Sequence, residues 1–358
     1  MVKTQIRFGI LGCAKVGRKM CRALELAPNT TLYAIGSRSI ETASRFSSEN
    51  FLPSSVKLYG SYEAVLDDPE VDAVYMPLPA SLHLKWAVLA AEKKKHVLLE
   101  KPGASNVSEL EKILDACESN GVQFMDATMF MHHPRTLKME EFLDGERFGR
   151  LQYVFSSFSY KASPEFLESD IRMKPDLTAQ GAVGDLGWYC IRAILWANNY
   201  QLPKTVVANR NPSLNKSGVI LSCGSSFYWE DGRVANFYCS YLTDITMDIT
   251  ALGSNGSIRL HDFVVPFQEN EAQYFQACNS KFINLSTGCE PARSGELVRA
   301  DLPQEALMVQ EFANLVANKA DGLKVGKKWA DICRKTQVIV DAVYNSIVRG
   351  FEPVEIMS

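Results

Sequence analysis

Three side chains in the sequence have the chemistry to move a proton between them. Lys101 follows the apolar run His96–Leu99, while Asp185 and Tyr189 stand four residues apart. We predict that the latter segment is helical, so both side chains would share one helix face. An ammonium can lower the pKa of a nearby phenol and polarise an oxygen, and the phenol can give or take the proton. We therefore expect acid–base chemistry in which Lys101 and Tyr189 could exchange roles and Asp185 orients either hydroxyls of the reactant or the lysine. The alternative is an amphipathic helix in which this Asp and Tyr are incidental.

The run that carries Lys101 has the composition of a buried parallel strand. In open α/β sheets, ligands bind at the carboxyl ends of the strands, beside the point where strand order reverses. Pro102 would end this strand and stiffen the backbone next to the lysine. The sequence thus places Lys101 at the edge of the sheet where ligands bind, the alternative being a surface lysine that merely ends a strand.

A glycine turn near the start of the chain predicts a dinucleotide site. The strand Ile6–Leu11 is followed by G-x-A-x-x-G and then by a helix, a variant of the fingerprint with alanine at the second glycine. Glycine permits the tight turn, and the helix amino terminus offers N–H groups to a pyrophosphate. The predicted contacts of this turn are Gly12, Cys13, Ala14, Lys15, Val16 and Gly17.

The end of the second strand predicts which cofactor is bound. An NAD site usually has an acidic residue here, whereas this chain has Ser37 and Arg38. A hydroxyl and a guanidinium suit a 2′-phosphate, so we expect NADP(H) to be preferred over NAD(H). His83, in the first turn of a later helix, is either a functional group or a packing histidine. Further predicted cofactor contacts follow later strands: Pro77, Leu78, His83, Glu100 and Lys101.

The pattern of elements predicts two domains. Strands and helices alternate through residue 128, which indicates a doubly wound parallel sheet, a Rossmann fold, in a dinucleotide-binding domain over 1–128. Strands then follow one another, so 129–358 is predicted to be an α+β domain for substrate binding and oligomerisation, with a large, mostly antiparallel open sheet. The stretch Gln268–Gly295 is polar and predicts no element, and two helices are expected from Pro303 and Lys328 onward. The sheet face rich in Tyr and Phe is the predicted homodimer surface.

Composition excludes several classes of partner. The chain is 46% hydrophobic and 22% charged with a net charge of −3, which favours neither nucleic acid nor a membrane as partner. Nine cysteines without a C-x-x-C pair indicate reduced thiols, and no leader sequence is recognised, so a cytoplasmic location is expected. The His132-His133 pair has no third ligand at suitable spacing, and no metal is predicted.

Four features together resemble the Gfo/Idh/MocA family of oxidoreductases: the glycine turn, the segment Pro77–His83, Glu100-Lys101-Pro102 and Gly184-Asp185-x-Gly187-x-Tyr189. The tyrosine in the last motif is similar to the branch of dimeric dihydrodiol dehydrogenase, NADP-dependent xylose dehydrogenase and glucose-fructose oxidoreductase, since inositol dehydrogenases have histidine there. The lead-in Gln180-Gly181-Ala182 departs from the triple glycine of the family.

The resemblance implies hydride transfer between nicotinamide C4 and a secondary alcohol or carbonyl, with Lys101 and Tyr189 handling the proton. The substrate would be a sugar, cyclitol, cyclic diol or specialised metabolite. Two alternatives stay open: a redox-neutral epimerase or transhydrogenase that retains its cofactor, and a non-catalytic regulator that senses a dinucleotide. The implied substrate contacts are His132, His133, Arg172, Asp185 and Tyr189.

Overall fold

The computed structural model describes residues 5–282, 289–290, 293–320 and 326–357. The chain forms two compact units, Met1–His132 with Leu302–Arg334, and His133–Asp301 with Lys335–Ser358. The first unit therefore includes a C-terminal segment that the sequence pattern had assigned to the second domain. A helix in this segment packs on the first helix and strand of the chain, and the side-chain amide of Asn29 donates to the Gln310 carbonyl at 3.0 Å.

The first unit is built on six parallel strands that alternate with helices, as predicted. The strands are β1 Ile6–Leu11, β2 Thr30–Gly36, β3 Lys57–Tyr59, β4 Ala73–Met76, β5 His96–Leu99 and β6 Phe124–Asp126. The helices among them are α1 Lys15–Leu26, α2 Ile40–Glu49, α3 Tyr62–Asp67, α4 His83–Glu92 and α5 Val107–Asn120, with short 3₁₀ turns at Ala80–Leu82 and Met129–His132.

Strand order in this sheet is β3-β2-β1-β4-β5-β6, so the order reverses between β1 and β4. The carboxyl ends of β1, β4 and β5 are therefore neighbours, and Met76 at the end of β4 is paired with Leu99 at the end of β5. This confirms the predicted doubly wound sheet and places Gly12, Pro77 and Lys101 after adjacent strands at one edge. Only β3, a strand of three residues, was not recognised from the sequence.

The second unit contains the large sheet. Its helices are α6 Pro134–Leu143, α7 Pro164–Ser169 and α8 Trp188–Ala197, with a 3₁₀ turn at Ile171–Met173 and a π-helical turn at Val183–Gly187. Its strands are β7 Leu151–Ser159, β8 Thr205–Ala208, β9 Ser213–Leu214, β10 Ile220–Tyr228, β11 Val234–Ser240, β12 Thr246–Gly253, β13 Gly256–Leu260, β14 Glu271–Cys278, β15 Lys281–Phe282, β16 Cys289–Glu290 and β17 Arg293–Arg299.

The long sheet runs β17-β14-β13-β12-β7-β11-β10-β8 and ends on the C-terminal strand β18, Val354–Glu355. All its described pairs are antiparallel except β7 with β11. Helix α8 packs on β7 and β11 and covers one face. The predicted mostly antiparallel sheet with helices on one side is confirmed.

The prediction of no regular element over Gln268–Gly295 is wrong for its described part, because β14 and the start of β17 lie there. Ala272 and Tyr274 are buried while Gln273 and Phe275 are exposed, the alternation expected of a strand with one covered face. The polar residues that suggested a loop occupy the open face near the end of the sheet. Residues 283–288 and 291–292 of this stretch lie outside the described residues.

Two helices close the chain as predicted, α9 Gln304–Ala320 and α10 Lys328–Val348. Helix α9 packs on α1, β1 and β2 in the first unit. Helix α10 contributes its residues to both units, since the division falls after Arg334.

Candidate active site

The glycine turn has a backbone that requires glycine at its first position. Gly12 has φ of 115°, a conformation that L-residues with a Cβ rarely adopt. Its N–H donates to the Gly36 carbonyl at 2.9 Å, which ties the turn to the end of β2. A Cβ on Gly12 would lie 3.0 Å from Cδ2 of Leu78. Two of the predicted cofactor segments, the glycine turn and Pro77-Leu78, therefore meet at this edge.

The amino terminus of α1 lacks a side-chain cap. Its N-cap is Ala14 and its first turn has no acidic residue. By contrast, α2, α3 and α5 are capped by the side chains of Ser39, Ser61 and Asn106. The Gly17 N–H donates to the Ala14 carbonyl at 2.9 Å, which leaves the N–H groups of Lys15 and Val16 for an anion, the arrangement by which helix termini bind phosphate.

The end of β2 presents the residues predicted to choose the cofactor. Ser37 is buried, and its N–H donates to the Tyr59 carbonyl at 3.1 Å, whereas Arg38 is exposed. Burial raises the pKa of the Cys13 thiol, and its hydrogen bond with Ser37 and the charge of Arg45 oppose that rise. Arg45 on α2 therefore lies near the glycine turn, and the sequence reading did not identify it because it belongs to no motif.

Lys101 follows β5 and is half-buried. The carboxylate of the preceding Glu100 accepts hydrogen bonds from the Tyr75 hydroxyl and, at 3.1 Å, from the Lys101 backbone N–H. Because Tyr75 lies fully buried in β4, Glu100 is anchored to the core of the sheet. The backbone that carries the lysine is thereby fixed at the end of β5.

His83 is fully buried and touches the backbone of two loops. Its Nε2 lies 2.9 Å from the Leu78 carbonyl, and its Nδ1 lies 3.1 and 3.2 Å from the carbonyls of Pro102 and Gly103. Burial lowers the pKa of His83 to about 4. A neutral imidazole has one N–H, so it donates either to the Leu78 carbonyl or to the carbonyls of Pro102 and Gly103, and in both tautomers the ring lies between the loop after β4 and the loop after Lys101.

In the second unit, the lead-in to the Asp185 segment is held in a close-packed turn. Gln180 and Gly181 have φ of 62° and 59°, and the Gln180 amide donates to Oδ1 of Asp341 at 2.8 Å. A Cβ on Gly184 would lie only 1.9 Å from the Ala179 carbonyl oxygen. The predicted helix does not begin regularly here, because this turn enters it through the π-helical segment Val183–Gly187. Such single π turns occur frequently at functional sites.

Asp185 is held by two side chains that approach the same carboxylate oxygen. The Tyr241 hydroxyl donates to Oδ2 at 2.6 Å, and Nε of Arg172 lies 3.2 Å from it. Arg172 also pairs with Asp170 through Nη1 at 3.1 Å. Arg172, a predicted substrate contact, therefore forms ion pairs with two carboxylates, those of Asp170 and Asp185. Tyr241 was not identified from the sequence, since it follows a strand far from Asp185 along the chain.

Tyr189 lies in the first turn of α8 and is 6% exposed. Its ring packs edge-on against Phe158, with centroids 5.6 Å apart. Phe158 in turn contacts Tyr160, which packs against Phe166 and Tyr241. A continuous series of aromatic contacts therefore extends from Tyr189 to Tyr241, whose hydroxyl donates to Asp185.

The two neighbouring histidines have structural partners. His132 lies with Nδ1 2.7 Å from the Glu311 carboxylate and with its ring 4.6 Å from that of Trp329. His133 caps α6, where its Nδ1 accepts from the Arg135 backbone N–H at 3.0 Å. Across the described residues, no three His, Cys, Asp or Glu side chains are grouped so that they could hold a metal ion.

Family models match both parts of the chain. Residues 6–128 match the oxidoreductase family with an NAD-binding Rossmann fold, and residues 136–259 match the GFO/IDH/MocA C-terminal domain. In the described part of the chain, every helix is too short or too polar to cross a lipid bilayer.

Curated relatives include sugar oxidoreductases. D-xylose 1-dehydrogenase (NADP(+)) 2 of Haloferax volcanii is 41% identical over 186 residues, which is 52% of this chain and 55% of that protein. This chain thus spans about half the length of that relative. A dTDP-3,4-didehydro-2,6-dideoxy-α-D-glucose 3-reductase of Saccharopolyspora spinosa is 30% identical over 273 residues, 76% of this chain and 79% of the relative.

Among solved structures, KijD10, a 3-ketoreductase from Actinomadura kijaniata in complex with NADP and TDP-benzene, superposes with a TM-score of 0.78. The two chains are 26% identical, and the match covers 96% of this chain and 98% of the other. These findings agree with the motifs: two domain models match, one relative aligns over three quarters of the chain, and KijD10 shares the fold. The chain belongs to the Gfo/Idh/MocA family of oxidoreductases.

Proposed function

We propose that this protein is an NADP-dependent oxidoreductase that acts on a ring-shaped alcohol or carbonyl compound. The observation that carries the proposal is the edge of the six-stranded sheet, where the glycine turn, the uncapped α1 and the Lys101 loop follow neighbouring strands. A dinucleotide bound at this edge would lie at the topological switch point. Membership of an oxidoreductase family supports the same reaction class.

NADP(H) is proposed as the cofactor, in preference to NAD(H). Arg38 is exposed after β2 and has no ion-pair partner among the described residues, so its guanidinium is available to a 2′-phosphate. The xylose dehydrogenase of H. volcanii is named for NADP(+), and KijD10 was solved with NADP. Both relatives support this choice.

In the proposed reaction, hydride passes between nicotinamide C4 and the carbon of a secondary alcohol or its ketone, while a proton leaves or joins the oxygen. Tyr189 is the proposed acid–base group, and Lys101 stabilises its phenolate and polarises the reacting oxygen. Asp185 orients substrate hydroxyls. The bound cofactor supplies hydride chemistry, and the roles of Lys101 and Tyr189 could be exchanged.

The proposed substrate is a sugar, cyclitol, cyclic diol or specialised metabolite. The relatives named above act on xylose or a dideoxy-sugar nucleotide, and a further relative from zebrafish is a trans-1,2-dihydrobenzene-1,2-diol dehydrogenase. All these names describe compounds with a secondary alcohol or ketone on a ring. The aromatic cluster near Tyr189 would suit the apolar face of such a ring.

A homodimer is proposed through the open face of the large sheet. Tyr228, Tyr238 and Phe275 are each about two-fifths exposed, at 43%, 38% and 38%. The strand register puts them on the face opposite α8. Exposed rings on an uncovered sheet are typical of an association surface. Sedimentation of the wild type against Tyr238→Glu tests it, with a monomeric wild type contradicting the proposal.

The reaction is tested by fluorescence titration with NADPH and NADH, followed by nicotinamide absorbance across panels of sugars, cyclitols, diols and ketones. We expect tighter binding of NADPH and, for Tyr189→Phe and Lys101→Met, turnover reduced by about 100-fold or more with NADPH binding retained. The matched controls are Tyr344→Phe and Lys112→Met, whose side chains are exposed. Full turnover in both site variants would contradict the assignment, and substrate conversion without net change of free NADPH would favour the redox-neutral alternative.

A further inference from the structure

We propose that Tyr241 is a positioning residue of the active site, which holds the Asp185 carboxylate in the orientation that binds substrate without touching substrate itself. The inference rests on the role of Asp185 in the proposed function. It adds a residue that belongs to none of the motifs of the sequence, because Tyr241 is separated from Asp185 by 56 positions.

The backbone of Tyr241 is fixed on both sides. It follows β11, its N–H donates to the Leu221 carbonyl at 2.9 Å, and its carbonyl accepts from the Ala162 N–H at 2.9 Å. The side chain is fully buried, and its hydroxyl donates to Oδ2 of Asp185 at 2.6 Å. The phenol therefore reaches Asp185 from a rigid part of the sheet.

Arg172 approaches the same oxygen, which gives Oδ2 a charged and a neutral donor together. Its Nε is 3.2 Å from Oδ2, and Asp170 holds its Nη1 at 3.1 Å. The guanidinium also lies over the Phe166 ring, 5.8 Å from the centroid. Because two donors hold the same oxygen, the carboxylate cannot rotate freely. The direction in which its other oxygen, Oδ1, points is therefore fixed by the protein.

The backbone of the turn and the two donors fix Asp185 together. Asp185 lies in the π-helical turn Val183–Gly187, and its own N–H donates to the Gly181 carbonyl at 3.1 Å. Gly184 beside it is closely packed, since a Cβ there would lie 1.9 Å from the Ala179 carbonyl oxygen. The turn thus fixes the backbone of Asp185, while Tyr241, which follows β11, and Arg172 hold its carboxylate.

The hydroxyl of Tyr241 is not needed to fill space. Its ring packs against Tyr160 and Phe166, with centroids 5.5 and 5.4 Å apart, and a phenylalanine ring would make the same contacts. A fully buried hydroxyl is costly unless it is hydrogen-bonded. Burial and the nearby Asp185 raise the pKa of Tyr241 well above its usual value, so this phenol stays protonated and serves as a donor.

The test is a double-mutant cycle on this chain with a substrate that the wild type turns over: Tyr241→Phe, Asp185→Ala and the double variant. Loss of a hydrogen bond to a charged group predicts a fall in kcat/KM of roughly 10- to 100-fold for Tyr241→Phe, with KM for substrate raised and NADPH affinity unchanged. Added to Asp185→Ala, the same change should have little further effect, because the acceptor of the hydrogen bond is already absent. Tyr344→Phe is the control for the loss of an exposed hydroxyl.

Wild-type kcat/KM in Tyr241→Phe, or losses that multiply in the double variant, would overturn the proposal. Urea unfolding of the same four proteins measures the interaction free energy between Tyr241 and Asp185 without relying on activity. The test therefore holds even if one variant is less stable. Additive effects on the free energy of unfolding would likewise contradict it. The two proposals fail in different ways. If the proposed function is wrong, the wild type turns over no substrate, but urea unfolding can still show coupling between Tyr241 and Asp185.

Discussion

Leu78 packs directly on Gly12: its Cδ2 lies 3.0 Å from the position that a Cβ on Gly12 would occupy. The two residues follow β1 and β4, the strands between which the order of the sheet reverses. Pro77 also faces this position through its carbonyl oxygen, at 3.8 Å. The conformation of the turn that is predicted to bind a pyrophosphate therefore depends on the positive φ of Gly12 and on its packing against Leu78.

Gly12→Ala should therefore be costly in a way that Gly17→Ala is not. At φ of 115° an alanine would be strained by about 1–3 kcal/mol and would also press on Leu78. Gly17 has no left-handed φ, and its Cβ would meet only the ring edge of Phe46, at 3.3 Å. We expect a larger fall in Tm and a larger loss of NADPH affinity for Gly12→Ala than for Gly17→Ala, measured by thermal unfolding and fluorescence titration. Equal effects of the two substitutions would contradict this account.

Arg38→Ala should change which nicotinamide cofactor is preferred. A charge-assisted hydrogen bond to the 2′-phosphate contributes about 1.5–3 kcal/mol, so Kd for NADPH should rise by roughly 10- to 100-fold while Kd for NADH changes little. The control is Arg259→Ala, an exposed arginine of the second unit. An unchanged ratio of the two dissociation constants in Arg38→Ala, or equal affinities in the wild type, would refute the assignment.

His83→Ala should lower stability and turnover together. The substitution removes a fully buried ring that links the Leu78 carbonyl to those of Pro102 and Gly103, and losses of this kind cost about 2–4 kcal/mol. The comparison is His261→Ala, whose side chain is 64% exposed and whose pair with Asp248 should contribute little. If His83 instead bound cofactor directly, Kd for NADPH would rise while the free energy of unfolding stayed constant.

The architecture could be predicted from the sequence because its pattern is local. Apolar strands alternating with helices, the glycine turn and the Lys101-Pro102 boundary all lie within short segments whose periodicity or turn chemistry is visible. Besides the three-residue β3, an exception is Glu271–Cys278, a strand whose polar residues occupy the open face and conceal its alternation. Leu302–Arg334 groups with the first unit, whereas its position in the sequence suggested the second domain, because the sheet on which a helix packs depends on contacts distant in sequence.

The predicted site residues are those that a motif carries, whereas contacts that depend on the fold alone are not visible in the sequence. Tyr241 reaches Asp185 because the π-helical turn packs on β11, the strand that Tyr241 follows, and spacing in the sequence cannot reveal this contact. His132, a predicted substrate contact, lies with Nδ1 2.7 Å from the carboxylate of Glu311 on α9, a contact that spacing in the sequence does not reveal. A polar side chain near a strand end serves either a ligand or the protein's own hydrogen bonds, and only the burial and partners of that side chain decide between them.

His133 should make the protein less stable in acid. Burial, with the charge of Arg135, lowers the pKa of His133 from its ordinary 6.5 to about 4, and Nδ1 can accept from the Arg135 N–H only when it carries no proton. The unfolded chain binds the proton first, so the contribution of His133 to stability is complete above pH 6.5 and is lost as the pH falls toward 4, by up to about 3 kcal/mol. His133→Asn keeps an acceptor at the helix cap and removes the titration. Urea unfolding between pH 4 and 7.5 should therefore show a shallower pH dependence for this variant, and parallel curves for the two proteins would show that His133 does not titrate with a lowered pKa.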